Sequence, residues 1–209
     1  MKKISIKYWN KFYKKIKLTK KPTQFAKFCK TKIKNHYGLI FDVGCGNGRD
    51  VLYFNKEKID CTGIDNSNLI IQKNKTFKYS FIKKKFLKAN FCTYFKKKID
   101  KKFSIYSRFT FHAINYQNEK KFLSYLSKQK NLEYLYIETR TTKDNLYGIG
   151  KRVGRHEYVS SHYRRFIDPK EIKKKLRKHF FIKYFKEGKN FAIYKNENPW
   201  VLRIIAKKK

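Results

Sequence analysis

The residues best suited to chemistry concentrate between Leu39 and Asp65. An apolar run, Leu39-Ile40-Phe41-Asp42-Val43, ends in glycines at alternate positions, Gly44, Gly46 and Gly48. A helical pattern starts at Arg49, and a second apolar run, Cys61-Thr62-Gly63-Ile64-Asp65, stops on an acid. A strand, a glycine turn, a helix and a strand ending on an acid about 20 positions later form the layout of a nucleoside-binding unit. Without a Cβ, glycine lets the turn take left-handed angles and lets a ligand lie against bare backbone. Asp65 then stands at the carboxyl end of the second strand, where its two oxygens can accept both hydroxyls of a ribose.

The spacing separates two kinds of nucleoside site. A dinucleotide site uses G-x-G-x-x-G, with the pyrophosphate at the helix N-terminus. Here the third glycine comes one residue early, and Asp42 precedes the turn inside the strand. An acid at that point repels pyrophosphate and suits a cationic amino-acid tail. The run from Phe41 to Gly48 resembles motif I of the class I S-adenosylmethionine-dependent methyltransferases, and Gly63-Ile64-Asp65 resembles that family's ribose-holding strand end. The resemblance extends from Leu39 to Ala206. It implies an α/β, Rossmann-like seven-stranded sheet of order 3-2-1-4-5-7-6 with helices on both faces, S-adenosylmethionine as cofactor, and methyl transfer as the reaction. It further implies cofactor contacts from Trp9, Asp42, Gly44, Cys45, Gly46, Arg49, Asp50, Asp65, Asn66, Asn90, Phe91 and Ser107. The family usually has an acid for the adenine amino group where this chain has Asn90, whose amide oxygen accepts the same bond. Phe91 either stacks on adenine or packs in the core.

The acceptor side of such a sheet comes from its later strands. Phe103–Ser107 reads as the fourth strand and leads to Arg108 and His112, which stand where the methyl group would react. Leu132–Thr139 reads as the fifth, with Glu138 near its carboxyl end. A neutral hydroxyl acceptor needs a base, and His112 and Glu138 are the candidates; His112 equally suits a buried, satisfied histidine. The stretch from Arg140 to Asp168 is too long for a tight connection, and loops of this length are usually functional or disordered. It carries Gly148, Gly150 and Gly154, then His162, Tyr163, Arg164 and Arg165. Lysine supplies most cations of the chain, yet this stretch uses arginine, whose planar fork grips carboxylate or phosphate at two points. That choice points to an anionic acceptor, a phosphorylated or acidic sugar. In the competing reading, Arg164 and Arg165 pin the loop by pairing with Glu138, Glu157 or Asp168. Tyr8-Trp9, the run from Tyr106 to Ile114 and the run from His162 to Phe166 resemble a narrower group, small bacterial methyltransferases found among surface-polysaccharide functions.

The elements that position these residues follow in order. Tyr8, Trp9, Phe12 and Tyr13 recur at helical spacing, as a packing helix or as a lid over the cofactor. Pro22 suits a first-turn position, and Thr23 to Lys34 reads as an amphipathic helix. Residues 1–36 are thus expected to form a helical cap and 37–209 the methyltransferase domain. Further helices are expected over Asp50–Lys56, Asn68–Phe77 with Ser67 as N-cap, Glu119–Lys130 and from Asp168-Pro169 onward. A third strand falls within Phe81–Ala89, and Phe180–Lys186 with Val201–Ile205 reads as a closing antiparallel pair.

Composition sets the outer bounds. At 209 residues, with 41% hydrophobic and 18% aromatic residues, the chain can bury a proper core. The net charge of +39 invites a nucleic-acid partner and makes an RNA methyltransferase the alternative function. A compositional origin competes, because Lys, Asn, Ile, Phe and Tyr are the residues of AT-rich codons. No appended RNA-binding module and no N-P-P-Y-type motif supports the RNA reading. The four cysteines show neither C-x-x-C nor metal-ligand spacing, so no metal site is expected and the thiols read as reduced. No signal-peptide core and no apolar run of ~20 residues is seen, so the expected location is cytoplasmic.

Overall fold

The computed structural model describes residues 2–15, 21–33, 38–194 and 196–209. Five parallel strands form the centre: β1 (Leu39–Val43), β2 (Cys61–Asp65), β3 (Phe86–Lys88), β4 (Phe103–Arg108) and β5 (Leu132–Arg140). Between them run α3 (Arg49–Lys56), α4 (Asn68–Lys75), the short α5 (Ser80–Lys83) and α6 (Phe91–Tyr94), and α7 (Tyr116–Ser127). After β5 come three short strands, β6 (Lys151–Gly154), β7 (Glu157–Val159) and β8 (Tyr163–Arg165), then α8 (Pro169–Arg177) and the antiparallel β9 (Phe180–Gly188) and β10 (Val201–Lys208). The large sheet has the order β3-β2-β1-β4-β5-β10-β9. With the three short strands set aside, this is the expected 3-2-1-4-5-7-6 topology.

Strand alternation places a core on each face, because successive side chains point to opposite sides. Phe41, Val43, Ile105 and Ile137 face one cluster with Phe122, Leu126 and Leu176. Ile40, Tyr106 and Tyr136 face the other with Val51, Phe54 and Ile71. Into this second cluster goes α2 (Gln24–Lys32), whose Phe25, Ala26 and Cys29 are fully buried. The other N-terminal helix, α1 (Lys2–Lys15), lies instead against α4 and the mouth of the cleft described below.

Several element boundaries differ from the sequence reading. Thr23 caps α2, its hydroxyl accepting the Ala26 amide at 3.0 Å, so Pro22 precedes the cap and is not in the first turn. The expected end of this helix, Lys34, lies outside the described residues. α7 starts at Tyr116 because Asn115 caps it by accepting the Asn118 amide at 2.9 Å, which puts Glu119 in the first turn. The stretch from Arg140 to Asp168 is not an open loop. Its strands form a separate antiparallel sheet in the order β6-β7-β8. Arg165 clasps this small sheet to the main body: its Nε donates to the Ile114 carbonyl at 3.0 Å, and its Nη2 pairs with Glu119. Lys175 reaches the other oxygen of Glu119 at 2.7 Å. No helix among the described residues is long and apolar enough to cross a membrane.

Candidate active site

A cleft of about 920 Å3 opens at the carboxyl ends of β1, β2 and β4. Gly44 and Gly46 form its floor, and Gly48 continues the turn beneath it against Phe86. Gly46 and Gly48 have φ of +51° and +67°, a region costly for residues with a Cβ. At Gly48 a Cβ would also come within 2.6 Å of the Phe86 ring. The turn is fixed from both sides, since Asn74 donates to the Gly46 carbonyl at 2.7 Å and the Gly46 amide donates to Asp65 at 3.0 Å. The other Asp65 oxygen accepts the Ser67 amide at 2.8 Å. Two carboxylate oxygens offer four lone pairs, so after the Gly46, Ser67 and Asn66 amides Asp65 can still accept a further donor. Burial raises the Asp65 pKa, and the amides of Ser67 and Gly46 act against the rise.

Two acids lie beneath this turn and behave differently. Asp42 is buried at the end of β1, and its pKa is held well above the usual range by burial and by Asp50 and Asp65. Asp50 joins three elements instead. It accepts the Thr23 amide and hydroxyl, both at 2.8 Å, and the Tyr106 hydroxyl at 2.8 Å. It lines the cleft, but these bonds tie α2, α3 and β4 together. Asn90 likewise has a local task, capping α6 by accepting the Cys92 amide at 3.1 Å. An adenine amino group would have to use the second lone pair of that oxygen.

The opposite wall is cationic and aromatic. Arg108 stacks on Phe109 at 4.3 Å, and Arg140 approaches the same ring at 5.7 Å. Phe109 is itself left-handed, with φ +56°, which marks local strain at the end of β4. Arg140 is chelated by both oxygens of Asp144 at 3.1 Å and pairs with Glu197 at 2.5 Å. Arg164 donates to the Ser160 hydroxyl at 3.0 Å. Amid these cations stand two imidazoles. His112 is buried, has no bonding partner at Nδ1, and is pushed well below its ordinary pKa by burial and then by Arg140 and Arg164. His162 is pushed down to about 4 by burial, Arg164 and Arg140.

The roof is α1. Tyr8 stacks on His162 at 4.4 Å, and Trp9 meets the same ring at 5.7 Å. Tyr13 lies over the glycine turn, with its hydroxyl 3.1 Å from where a Cβ at Gly46 would be. Asn10 accepts from the Ser67 hydroxyl at 2.5 Å, and Lys73 donates to the Tyr13 carbonyl at 3.0 Å. One helix thus touches both the glycine turn and the β7–β8 insertion.

Of the residues singled out by sequence, Trp9, Asp42, Gly44, Cys45, Gly46, Arg49, Asp50, Asp65, Asn66, Asn90, Phe91, Arg108, His112, His162, Tyr163 and Arg164 line this cleft. Ser107, Glu138 and Arg165 do not. Ser107 is fully buried within β4. Glu138 is held between Arg203 at 2.7 Å and Arg108 at 3.1 Å, so both of its oxygens are engaged. Arg165 serves the Glu119 clasp. Tyr13, read from sequence only as part of a packing helix or lid, also lines the cleft, and Phe109 and Arg140 are lining residues that the sequence reading did not select. Arg140 had a usable signal, since it stands at the carboxyl end of a central strand.

One further group lies apart. His156, Asp168 and Glu171 bring ligand atoms within 4.8 Å of one another. Asp168 is already the N-cap of α8, and Arg155 pairs with Glu171. A helix N-terminus also repels a cation, so these contacts are those of a cap.

No protein-family model matches the chain, and no curated protein does. Solved structures do. The glycopeptide N-methyltransferase MtfA with S-adenosylhomocysteine superposes with a TM-score of 0.66 at 10% identity, over 90% of this chain and 90% of that one. A S-adenosylmethionine-dependent methyltransferase from Methanosarcina mazei gives 0.64 at 16% identity, covering 82% and 92%. The 1,6-didemethyltoxoflavin-N1-methyltransferase of Burkholderia thailandensis gives 0.64 at 14% identity, covering 88% and 76%. The fold is that of the class I methyltransferases.

Proposed function

We propose that this protein is a S-adenosylmethionine-dependent methyltransferase for a small-molecule or glycan acceptor that carries an anionic group, such as a phosphorylated or acidic sugar. The observation that carries this reading is one cleft with two unlike ends. One end has bare glycine backbone and an acid able to accept a further donor; the other has three arginines and two neutral imidazoles. The first end fits the cofactor. Gly44 and Gly46 would lie against it, Asp65 would take the ribose hydroxyls, and Asn90 with Phe91 would meet the adenine. When bound, S-adenosylmethionine supplies a methyl group activated by a sulfonium. The neighbours with the same fold include enzymes named for glycopeptide and small heterocyclic substrates, which supports a compact acceptor. The narrower assignment, to surface-polysaccharide chemistry, rests on sequence resemblance.

The chain's own contribution is largely positional. Holding two reactants aligned can supply ~7–11 kcal/mol of a barrier. Arg108 and Arg164, which both line the cleft, would orient an anion. A hydroxyl acceptor must lose its proton, and neutral His112, with Nδ1 lacking a protein partner, is the group able to take it. Glu138, fixed between two guanidiniums, is not. An acceptor oxygen that is already ionised, as in a phosphate, needs only the arginines. An RNA acceptor is favoured by charge alone, and the α1 roof suits something smaller.

The test is transfer of labelled methyl to a panel of phosphosugars and uronic acids. Arg164→Gln should leave cofactor affinity unchanged by calorimetry and lower turnover about tenfold, the equivalent of ~1.4 kcal/mol. Full turnover in that variant removes the anion site, and an equal rate on neutral analogues does the same.

A further inference from the structure

Strands β1 to β5 are parallel, so their amino ends share the face of the molecule opposite the cleft. Charge divides between the two faces. The 15 acidic residues all fall among the described ones, and of these only Glu57, Asp60, Asp100 and Glu133 lie at the amino-end face, each with a lysine beside it. These pairs are Lys30–Glu57, Lys85–Asp60, Lys98–Asp100 and Lys102–Glu133. The remaining lysines there are in large excess. Residues 96–102 alone hold five lysines and one aspartate. β10 brings Lys207 and Lys208, followed by Lys209, to the same end, opposite Tyr134 and Phe180. A recess of about 430 Å3 between them is also lined by Lys32 and Lys130.

Lysine in a last helical turn offsets the helix dipole, and that explains Lys32, Lys56 and Lys75. It does not explain 96–102 or 207–209, which lie outside the helices. Exposed rings accompany these lysines at both edges of the sheet. Beside edge strand β3, Tyr79 and Phe81 are 43% and 48% exposed and 5.6 Å apart, with Lys56 4.5 Å over the Tyr79 ring. On edge strand β9, Phe181 is 55% exposed, with Lys209 at 5.5 Å.

We propose that this face docks on an anionic lipid surface, with lysines at the headgroups and Tyr79, Phe81 and Phe181 in the interfacial layer. Dispersed lysines with amphipathic or apolar rings are the composition of peripheral membrane attachment. Nucleic-acid and other bidentate recognition favours arginine, and among the described residues Arg177 is the one arginine on this face. Docked this way, the cleft opens away from the lipid toward soluble acceptors.

Sedimentation with vesicles tests the proposal. The protein should pellet with phosphatidylglycerol–phosphatidylcholine vesicles and stay in solution with phosphatidylcholine alone. Replacing Lys96, Lys97 and Lys98 by Gln should weaken binding at least tenfold, since each lysine near such a surface contributes about fivefold. Removing the same charge elsewhere, with Lys120→Gln, Lys121→Gln and Lys151→Gln, should cost much less. Phe81→Ser with Phe181→Ser should weaken vesicle binding several-fold and leave binding to soluble polyphosphate unchanged. Equal losses in the two lysine triples would reduce the effect to net charge and overturn the proposal. So would failure to pellet with the anionic vesicles, or single-stranded RNA binding that needs Lys96–Lys98 without vesicle binding.

Discussion

Asp65 shows how one side chain can serve the turn and a ligand together. Its oxygens hold the Gly46 and Ser67 amides, and the side chain still lines the cleft. Asp65→Ala should therefore weaken S-adenosylhomocysteine binding by ~1–3 kcal/mol, the scale for a hydrogen bond to a charged group. Calorimetry giving equal affinities would refute the ribose role. The histidines make a different demand. His162 has its pKa lowered to about 4 from 6.5, and His112 is lowered as well. Between pH 6.5 and about 4 the unfolded chain takes up protons that the folded chain refuses at His162, so this residue makes stability fall as pH falls. Asp42, raised by burial, acts in the opposite sense in the window above its ordinary value, because there the folded state holds the extra proton. Comparing each variant with wild type isolates the histidine term. The drop in urea midpoint on acidification from pH 7 to 5 should be smaller in His162→Gln. An identical drop in both proteins would mean that His162 titrates as if exposed.

Two N-terminal helices of similar composition take separate tasks because of where their apolar residues fall. α2 puts Phe25, Ala26 and Cys29 into the core, and Thr23 joins the Asp50–Tyr106 cluster. α1 has no such insertion. It is held by Asn10–Ser67, Lys73–Tyr13 and the aromatic contacts to His162. Deleting residues 1–20 should leave a folded protein with native circular dichroism that releases S-adenosylhomocysteine much faster. Loss of folding would place α1 in the structural core. The central elements were legible because their physics is local. Asp42, the three glycines and Asp65 are fixed by strand ends and a tight turn, and the apolar runs show which strands are buried on both faces. The β6–β7–β8 insertion was not legible, because strands of three or four residues carry too little alternation to show a period. The partners of Glu138 and Arg165 were hidden for another reason. Arg203 and Glu119 are 65 and 46 residues away in sequence, and only the assembled sheet brings them together. Reading Arg165 as an acceptor residue followed from its type; its neighbour Arg164 points to the cleft because β8 alternates its side chains.

At the scale of the whole molecule, the net charge of +39 is the largest unbalanced force. Like charges on a compact body repel, and the unfolded chain relieves that repulsion by spreading. The opposing term is a small set of ion pairs. The buried ones, Glu138 with Arg203 and Arg108 and Glu119 with Arg165, are little touched by salt. Exposed ones such as Lys98–Asp100 contribute little to stability. Adding salt therefore screens mostly repulsion. Going from ~0.01 M to ~0.1 M shortens the screening length from ~30 Å to ~10 Å, below the size of the molecule. Tm should climb over this range and then flatten, since further salt screens only contacts already shorter than that length. Scanning calorimetry in sodium chloride at fixed pH measures it, with sucrose as a control that changes preferential exclusion without screening. A Tm that falls with salt would mean that surface ion pairs outweigh self-repulsion in this chain, and that its lysines are more fully partnered than their excess over acids implies.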